Sequence, residues 1–374
     1  IKHNALEYFF VDIYIIMSEE VTEEQIADAI AAATTNKDEN ASTTTSSTSS
    51  VSDDDSLTAS GMVAALKKHG DGTNVIKESI TTFSNPDGSD KKGDAKISAD
   101  QMDQASQSLK ELVQKAKDAE EKKKKKSKST AKKWDFGTSP HAQFGKTFDD
   151  TLKAFLLWAR TEEKKEINIS KAFRRLESYA SWMDDTGTVL VEPPLSASSV
   201  KDALEIWQMK SSVSAKTKNL VWWFDMGAID TEVTKKMSAD DSLRAFVWFS
   251  HYVMYHPSAQ EEGMLVVENC DKIGFYKMIT MMPMKLGTQL DRLTIGVLPV
   301  KTKKFYLLET PRWIDVFMKI LGAFMSKKMK SRMYLCKDWS EIENTLGGEC
   351  IPKGWGKLEG SLDIGCVPEE YASS

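Results

Sequence analysis

The stretch PVKTKKFYLLETPRWIDVFMKILGAFM, Pro299–Met325, runs from a short apolar strand through a proline into a helix with almost no polar face. Phe305, Tyr306, Leu307 and Leu308 are continuous apolar residues between Lys303-Lys304 and Glu309-Thr310-Pro311. That pattern predicts a buried, central strand of an α/β sheet rather than an alternating edge strand. Pro311 ends the ladder and sits well near a helix start. After it, Trp313, Val316, Phe317, Ile320, Leu321 and Phe324 recur at helical spacing. Ile314, Met318 and Met325 widen the apolar arc and leave Arg312, Asp315 and Lys319 as a narrow polar stripe. A helix over 312–325, about 21 Å long at 1.5 Å per residue, then has two faces to bury. One packs on the sheet, and the other must meet protein, a hydrophobic ligand or a membrane surface. On periodicity alone, burial in a large core is the simpler account.

The 374 residues suffice for one large or two ordinary domains. The net charge of −5 is a difference between opposed blocks. Residues 18–60 set ten acidic groups against Lys37, whereas 122–133 hold eight lysines and no acid. Total charge is therefore a poor guide to partners. Cys270, Cys336, Cys350 and Cys366 lie far apart without metal-ligand spacing, so neither zinc nor a disulfide framework is predicted. A reducing cytosol is the simplest home. The apolar run Tyr8–Ile16 is interrupted by Asp12 and is too short to span a membrane. Because Met17-Ser18-Glu19-Glu20 reads as an ordinary cytosolic start, residues 1–16 are expected to be an upstream extension of the gene model.

Residues 18–60 are acidic and then Ser/Thr-rich, with only Ser and Thr from Ser42 to Ser50. Such a composition buries too little apolar area to offset ordering entropy, and disorder is expected. Short helices are predicted over 58–69 and 99–121, the latter opening near Ser98 or Asp100 and carrying Met102, Leu109, Leu112 and Val113. Asp90–Gln101 has the outline of a calcium loop. Lys92 replaces a ligand, Ala95 the turn glycine and Gln101 the bidentate glutamate, so the oxygen count is short and no metal is expected. The run Lys122, Lys123, Lys124, Lys125 and Lys126, continued by Lys128, Lys132 and Lys133, reads first as a solvated linker. Its functional reading is attraction to an anionic membrane surface, where each lysine contributes up to about 1 kcal/mol. No nucleic-acid module accompanies it, so no specific nucleic-acid partner is expected.

From about Trp134 the composition is globular. Leu152, Phe155, Leu156 and Ala159 share one helical face, and Ala172, Phe173, Leu176, Tyr179, Ala180 and Met183 another, which predicts a small helical lobe. A further helix covers about 199–208. Strands are predicted at Leu220–Phe224, Leu265–Glu268, Lys304–Leu308 and Arg332–Cys336, separated by helices near 239–254, 284–295 and 312–325. Strands alternating with such helices argue for a parallel or mixed sheet with helical cover. A GxSxG elbow, a P-loop, a dinucleotide fingerprint and an HExxH helix are all missing, which weakens an enzymatic reading. The five histidines are scattered, His251 on an apolar helix is read as a packed residue, and Cys270 has no base beside it in sequence.

This order of elements resembles the CRAL-TRIO family over roughly residues 149–360. Residues 151–185, TLKAFLLWARTEEKKEINISKAFRRLESYASWMDD, are similar to the family's N-terminal helices. GMLVVENCDKIG at 263–274 is similar to a strand closing on an acidic residue and a glycine. KKFYLLETPRWIDVFMKILGAFMSKKMKSRMYLC at 303–336 is similar to the family's strand ending in "NAP", its mobile gate helix and the final strand; IPKGWGK at 351–357 stands where the family has "LPxEFGG". The resemblance implies an α/β fold: an N-terminal helical lobe followed by a mixed or parallel sheet covered by helices, after a long disordered N-terminal region.

It also implies a single hydrophobic molecule held between sheet and helices, with no cofactor and no catalysis. Trp313, Val316, Phe317, Ile320, Leu321 and Phe324 would form the gate; Phe246, Val267, Phe305, Leu307, Met333 and Arg332 would line the ligand site. Val300 stands where the phosphoinositide-binding members carry an acid, which speaks against inositol recognition, whereas Arg332 stands at their lysine position with a fork suited to phosphate.

The domains expected are 1–133, largely disordered; 134–210, a helical lobe; 211–360, the lipid-binding domain; and 361–374, a tail. The function expected is a cytoplasmic, monomeric carrier that takes a phospholipid or isoprenoid-like lipid at an anionic membrane surface. The alternative is a membrane-associated scaffold whose pocket is filled.

Overall fold

Ser98 and Gln101 settle where the first described helix begins. Ser98 Oγ accepts from the Gln101 amide at 3.2 Å, and Gln101 Oε1 accepts from the Ser98 amide at 2.9 Å. This reciprocal cap opens α1 (Ala99–Lys124) and employs the very glutamine that ends the calcium-like outline. The computed structural model describes residues 97–124, 134, 142–161, 166–274, 277, 281, 284–311, 314, 330–336, 338–355 and 362–371. The Ser/Thr tract, residues 90–96 of the calcium-like outline, the 58–69 helix and Lys125-Lys126 lie outside them. So does the 312–325 helix, except Ile314.

Along α1, Ala105, Leu109 and Val113 are buried and pack on α2 (Phe148–Trp158) and α3 (Ile169–Trp182). The expected start of the folded lobe at 134 therefore moves upstream to α1, because a helix with a buried apolar stripe belongs to the core it covers. Side-chain caps fix the next helices: Thr147 opens α2, Asn168 opens α3, and Ser196 opens α4 (Ala197–Ile206).

The described strands form one sheet in the order β1 (Met209–Val213), β2 (Leu220–Asp225), β3 (Met264–Asn269), β4 (Thr302–Leu308), β5 (Met333–Cys336). β1 runs antiparallel to β2, and every later pairing is parallel. Four of the strands coincide with the sequence expectation. β1 was not legible, because MKSSV is a polar edge strand with little apolar signal. It begins at Met209, so the expected 210/211 boundary cuts a strand.

With parallel strands in sequential order, right-handed crossovers put their helices on one face of the sheet. That face is covered by α5 (Ala239–Tyr255), capped by Ser238 and buried from Ser242 onward except at Arg244, and by α7 (Met284–Asp291), which continues as a wider π-helical turn over Arg292–Val297; between them the short α6 (Pro257–Glu261) leads into β3. The chain then returns across the other face. Trp339, Ile342 and Leu346 of α8 (Trp339–Leu346) pack with Ile351 and Trp355 on Val221, Trp223, Leu265, Val267, Tyr306 and Leu308. Trp355 of the IPKGWGK segment meets Trp223 edge-on at 5.8 Å. The helical lobe and the α5 side of the sheet share one apolar core, and the α8 side forms a second.

Candidate functional site

Strand alternation sorts the sheet into two chemically different faces. On the α5 side lie Leu220, Trp222 and Phe224 of β2, Met264 and Val266 of β3, Phe305 and Leu307 of β4, and Met333 of β5. Phe246 joins them from α5, so the structure brings Phe246, Phe305, Leu307 and Met333 to one side. Val267 is the correction. It packs in the opposite core with Tyr306 and Leu308, because neighbouring residues of a strand point to opposite faces, and the residues of β3 facing α5 are Met264, Val266 and Glu268.

The floor is not uniform. Over β2 it is filled by rings: Trp222 lies 5.0 Å from Phe249 and 6.3 Å from Phe246, and Trp207 meets Phe246 at 5.4 Å. Toward the far edge it opens. Phe305 and Met333 are half-buried, and Leu335, in register with Leu307, is 41% exposed. Ile314, buried in the same core, is where the chain beyond Pro311 meets this face. Val300 also packs there. Arg332 stands in the turn before β5, half-buried, with its carbonyl accepting from Phe305 N at 2.8 Å.

One residue that sequence reasoning passed over belongs to this face. Glu268 is in register with Phe224 on one side and Leu307 on the other, and is 7% exposed. Its burial pushes the carboxyl up to about 7, with no hydrogen bond offsetting the loss of water. The signal was available: an acid two residues after Val266, itself two after Met264, shares their face.

The residues weighed as catalytic candidates have other roles. His251 is fully buried; its Nδ1 lies 2.7 Å from Val247 O and its Nε2 2.9 Å from Tyr179 Oη, an arrangement that ties α3 to α5. Burial lowers its pKa to about 4, so the ring is neutral: Nδ1 donates to the carbonyl and Nε2 accepts from the phenol. Burial raises the Cys270 thiol far above the range of a reactive thiolate. All four cysteines are free and buried.

A concavity of about 620 Å³ opens at the carboxyl ends of β2 and β3 on the α8 side, lined by Asp225, Gly227, Asn269, Asp271, Glu309 and Trp339 among others. Its polar groups are spent on turning the chain. Asp225 Oδ1 accepts from Asn269 Nδ2 at 3.0 Å and from Ala228 N at 3.1 Å, and Asn269 Oδ1 accepts from Asp271 N at 3.2 Å. This polar cleft is distinct from the apolar face and offers a lipid tail nothing to bury against. Among the described residues no cluster of acids, histidines and cysteines is arranged to hold a metal ion, and no helix is long and apolar enough to cross a membrane.

Lys122 stands exposed in the last turns of α1; Lys123 and Lys124 continue that helix. Trp313, Val316, Phe317, Ile320, Leu321 and Phe324, expected to form the gate, lie outside the described residues.

The sequence matches no curated protein significantly. Among solved structures, one titled "Crystal structure of Sfh5" is 12% identical over 67% of this chain and 85% of that chain, with a TM-score of 0.39. The family model of the CRAL/TRIO domain matches residues 214–356, from the turn after β1 through all four parallel strands to α8 and Trp355. It is over this stretch, the parallel sheet and its cover, that the chain is similar to the CRAL/TRIO domain.

Proposed function

We propose that the protein binds one hydrophobic molecule against the α5 face of its sheet and carries or presents it at membrane surfaces. The observation that supports this reading most is the uneven cover of that face. Rings fill it over β2, whereas Phe305, Met333 and Leu335 leave an apolar strip partly open over β4 and β5. An apolar tail laid on such a strip gains about 25 cal/mol per Å² removed from water, opposed by the cost of opening the site.

In this reading the segment after Pro311 is the lid. The right-handed rule assigns the β4-to-β5 crossover to this face, and Trp313, Val316, Phe317, Ile320, Leu321 and Phe324 supply its apolar side. The lysines from Lys122 to Lys126 steer the protein to anionic surfaces, which makes vesicle binding fall as salt rises. A carrier of this kind needs no cofactor and performs no chemistry.

The test is transfer of fluorescent lipid between vesicles by the full chain, together with native mass spectrometry of the protein as purified. The expected result is bound lipid and catalysed transfer, abolished by Phe317→Asp or Ile320→Asp with the unfolding temperature little changed. A protein consistently empty and inactive in transfer would overturn the carrier. The aromatic filling of Trp222, Phe246 and Phe249 supports the rival, a membrane-associated scaffold with a filled pocket, which predicts that empty and inactive outcome.

A further inference from the structure

Glu268 is an anomaly that the carrier reading leaves unused. A carboxyl group between Phe224 and Leu307, nine-tenths buried and without a hydrogen-bond partner among the described residues, is costly to keep. A leucine there would pack better with its neighbours and cost nothing in desolvation. The same face holds an unfilled donor: Trp222 Nε1 is buried and has no acceptor among the described residues. Of the three indoles unpartnered among the described residues, Trp207, Trp222 and Trp248, only Trp222 lies on the sheet. Trp222 is in register with Val266, which makes it the diagonal neighbour of Glu268 across the β2–β3 pair, on the same face.

An unfilled acceptor and an unfilled donor on adjacent strands specify what would satisfy both. We propose that Glu268 and the Trp222 indole N–H form a polar docking point for the free hydroxyl of an otherwise apolar ligand, an alcohol-type lipid held on the α5 face. This rests on the carrier reading and deepens it by naming the ligand's chemistry. A hydroxyl donates to the carboxylate while accepting from the indole, and it also accepts from Glu268 when that carboxyl is protonated. The other common lipid headgroups do less. A phosphate has no donor for Glu268 and is repelled by it when ionised. An ammonium cannot accept from Trp222, and an ester carbonyl cannot donate to the carboxylate. Sterols, diacylglycerols and long-chain alcohols all offer the required group.

The experiment loads the full chain from phosphatidylcholine vesicles that contain ergosterol, a diacylglycerol or cetyl alcohol, each set against its own O-methyl ether, and measures uptake by extraction and mass spectrometry. At a pH above the Glu268 value of about 7 the expected result is a preference of about tenfold or more for the free hydroxyl in at least one pair, since the ether has no hydrogen to donate to the carboxylate. Which pair shows it identifies the lipid class. Glu268→Leu, with an unfolding temperature at or above that of the parent chain, is expected to bring the alcohol-to-ether ratio near one.

Equal uptake of alcohol and ether by the parent chain in all three pairs overturns the docking point but leaves the carrier standing, provided phosphatidylcholine or either partner is loaded. An undiminished preference in Glu268→Leu does the same. Uptake of no lipid at all overturns both. The parent chain's alcohol-to-ether ratio needs no variant, so the proposal stays falsifiable even where Glu268→Leu fails to fold.

Discussion

At the scale of the residue, Glu268 makes the sharpest physical statement. Its folded pKa of about 7 stands above the usual 4.5, so the folded chain holds its proton more tightly than the unfolded chain does. The favourable contribution is therefore complete below about pH 4.5 and is lost as pH rises through about 7. At 1.36 kcal/mol per pH unit the loss is about 3 kcal/mol. Urea unfolding of the ligand-free chain between pH 5 and 7.5 should show stability falling with pH, and Glu268→Gln should flatten that slope. An equal slope in the variant would assign it to other groups. Gly227 is a second residue whose identity follows from geometry. A Cβ there would lie 2.1 Å from the Asp271 carbonyl oxygen, a backbone atom that cannot swing away. Gly227→Ala should cost about 1–3 kcal/mol by overpacking, measured as a lower midpoint in thermal or urea unfolding.

At the scale of the element, most of the fold was legible. The run Phe305–Leu308 announced a central strand, and the structure places β4 between β3 and β5 with its last three residues buried. The helix α5 follows its predicted limits within a residue, since Ser238 caps it and His256 leaves helical geometry before Pro257. Among the elements that escaped are β1 and α8. β1 is held by pairing to β2 and by contacts made far away in sequence, such as Ser212 Oγ donating to Cys350 O at 2.7 Å. The helix α8 carried a readable start in Asp338, whose carboxylate accepts from the Glu341 amide, but eight residues make a weak periodic signal. The proposed carrier makes the 312–325 segment its lid and requires it to move, so under that proposal locking it should be as damaging as a charge within it. A disulfide engineered between the 312–325 segment and β5 should block transfer in the oxidised protein and restore it on reduction, read in the vesicle assay.

At the scale of the whole molecule, the helical lobe and the sheet are not separable pieces. Their side chains form one core from Leu109 through Tyr179 and His251 to Val266, and Arg160 of the lobe reaches Glu261 at 3.2 Å and the Gln260 carbonyl at 2.7 Å. Cutting at 134, as composition suggests, would strip α1 from α2 and α3 and expose the surface that Leu109 and Val113 cover. At about 1.5–3 kcal/mol for each such side chain, a 134–374 fragment should be about 3–6 kcal/mol less stable than one beginning at 97, measured by denaturant midpoints of the two proteins. Equal midpoints would show that α1 contributes nothing to the core.

The sequence alone carried most of the elements and their order, β1 and α8 excepted, and the apolar surplus after Pro311, because helical and strand periodicities are local and are written in neighbouring residues. The family resemblance added the lipid-binding reading and its list of residues. Only the tertiary structure decided sidedness. Whether Val267 or its neighbours Val266 and Glu268 look toward α5 depends on which face the crossover helices cover, and that is fixed by pairing between strands dozens of residues apart. A shift of one residue inverts the answer, since side chains alternate along a strand. For that reason Glu268, one position from a residue chosen on sequence grounds, emerged as a candidate contact only once the register of β2, β3 and β4 was known.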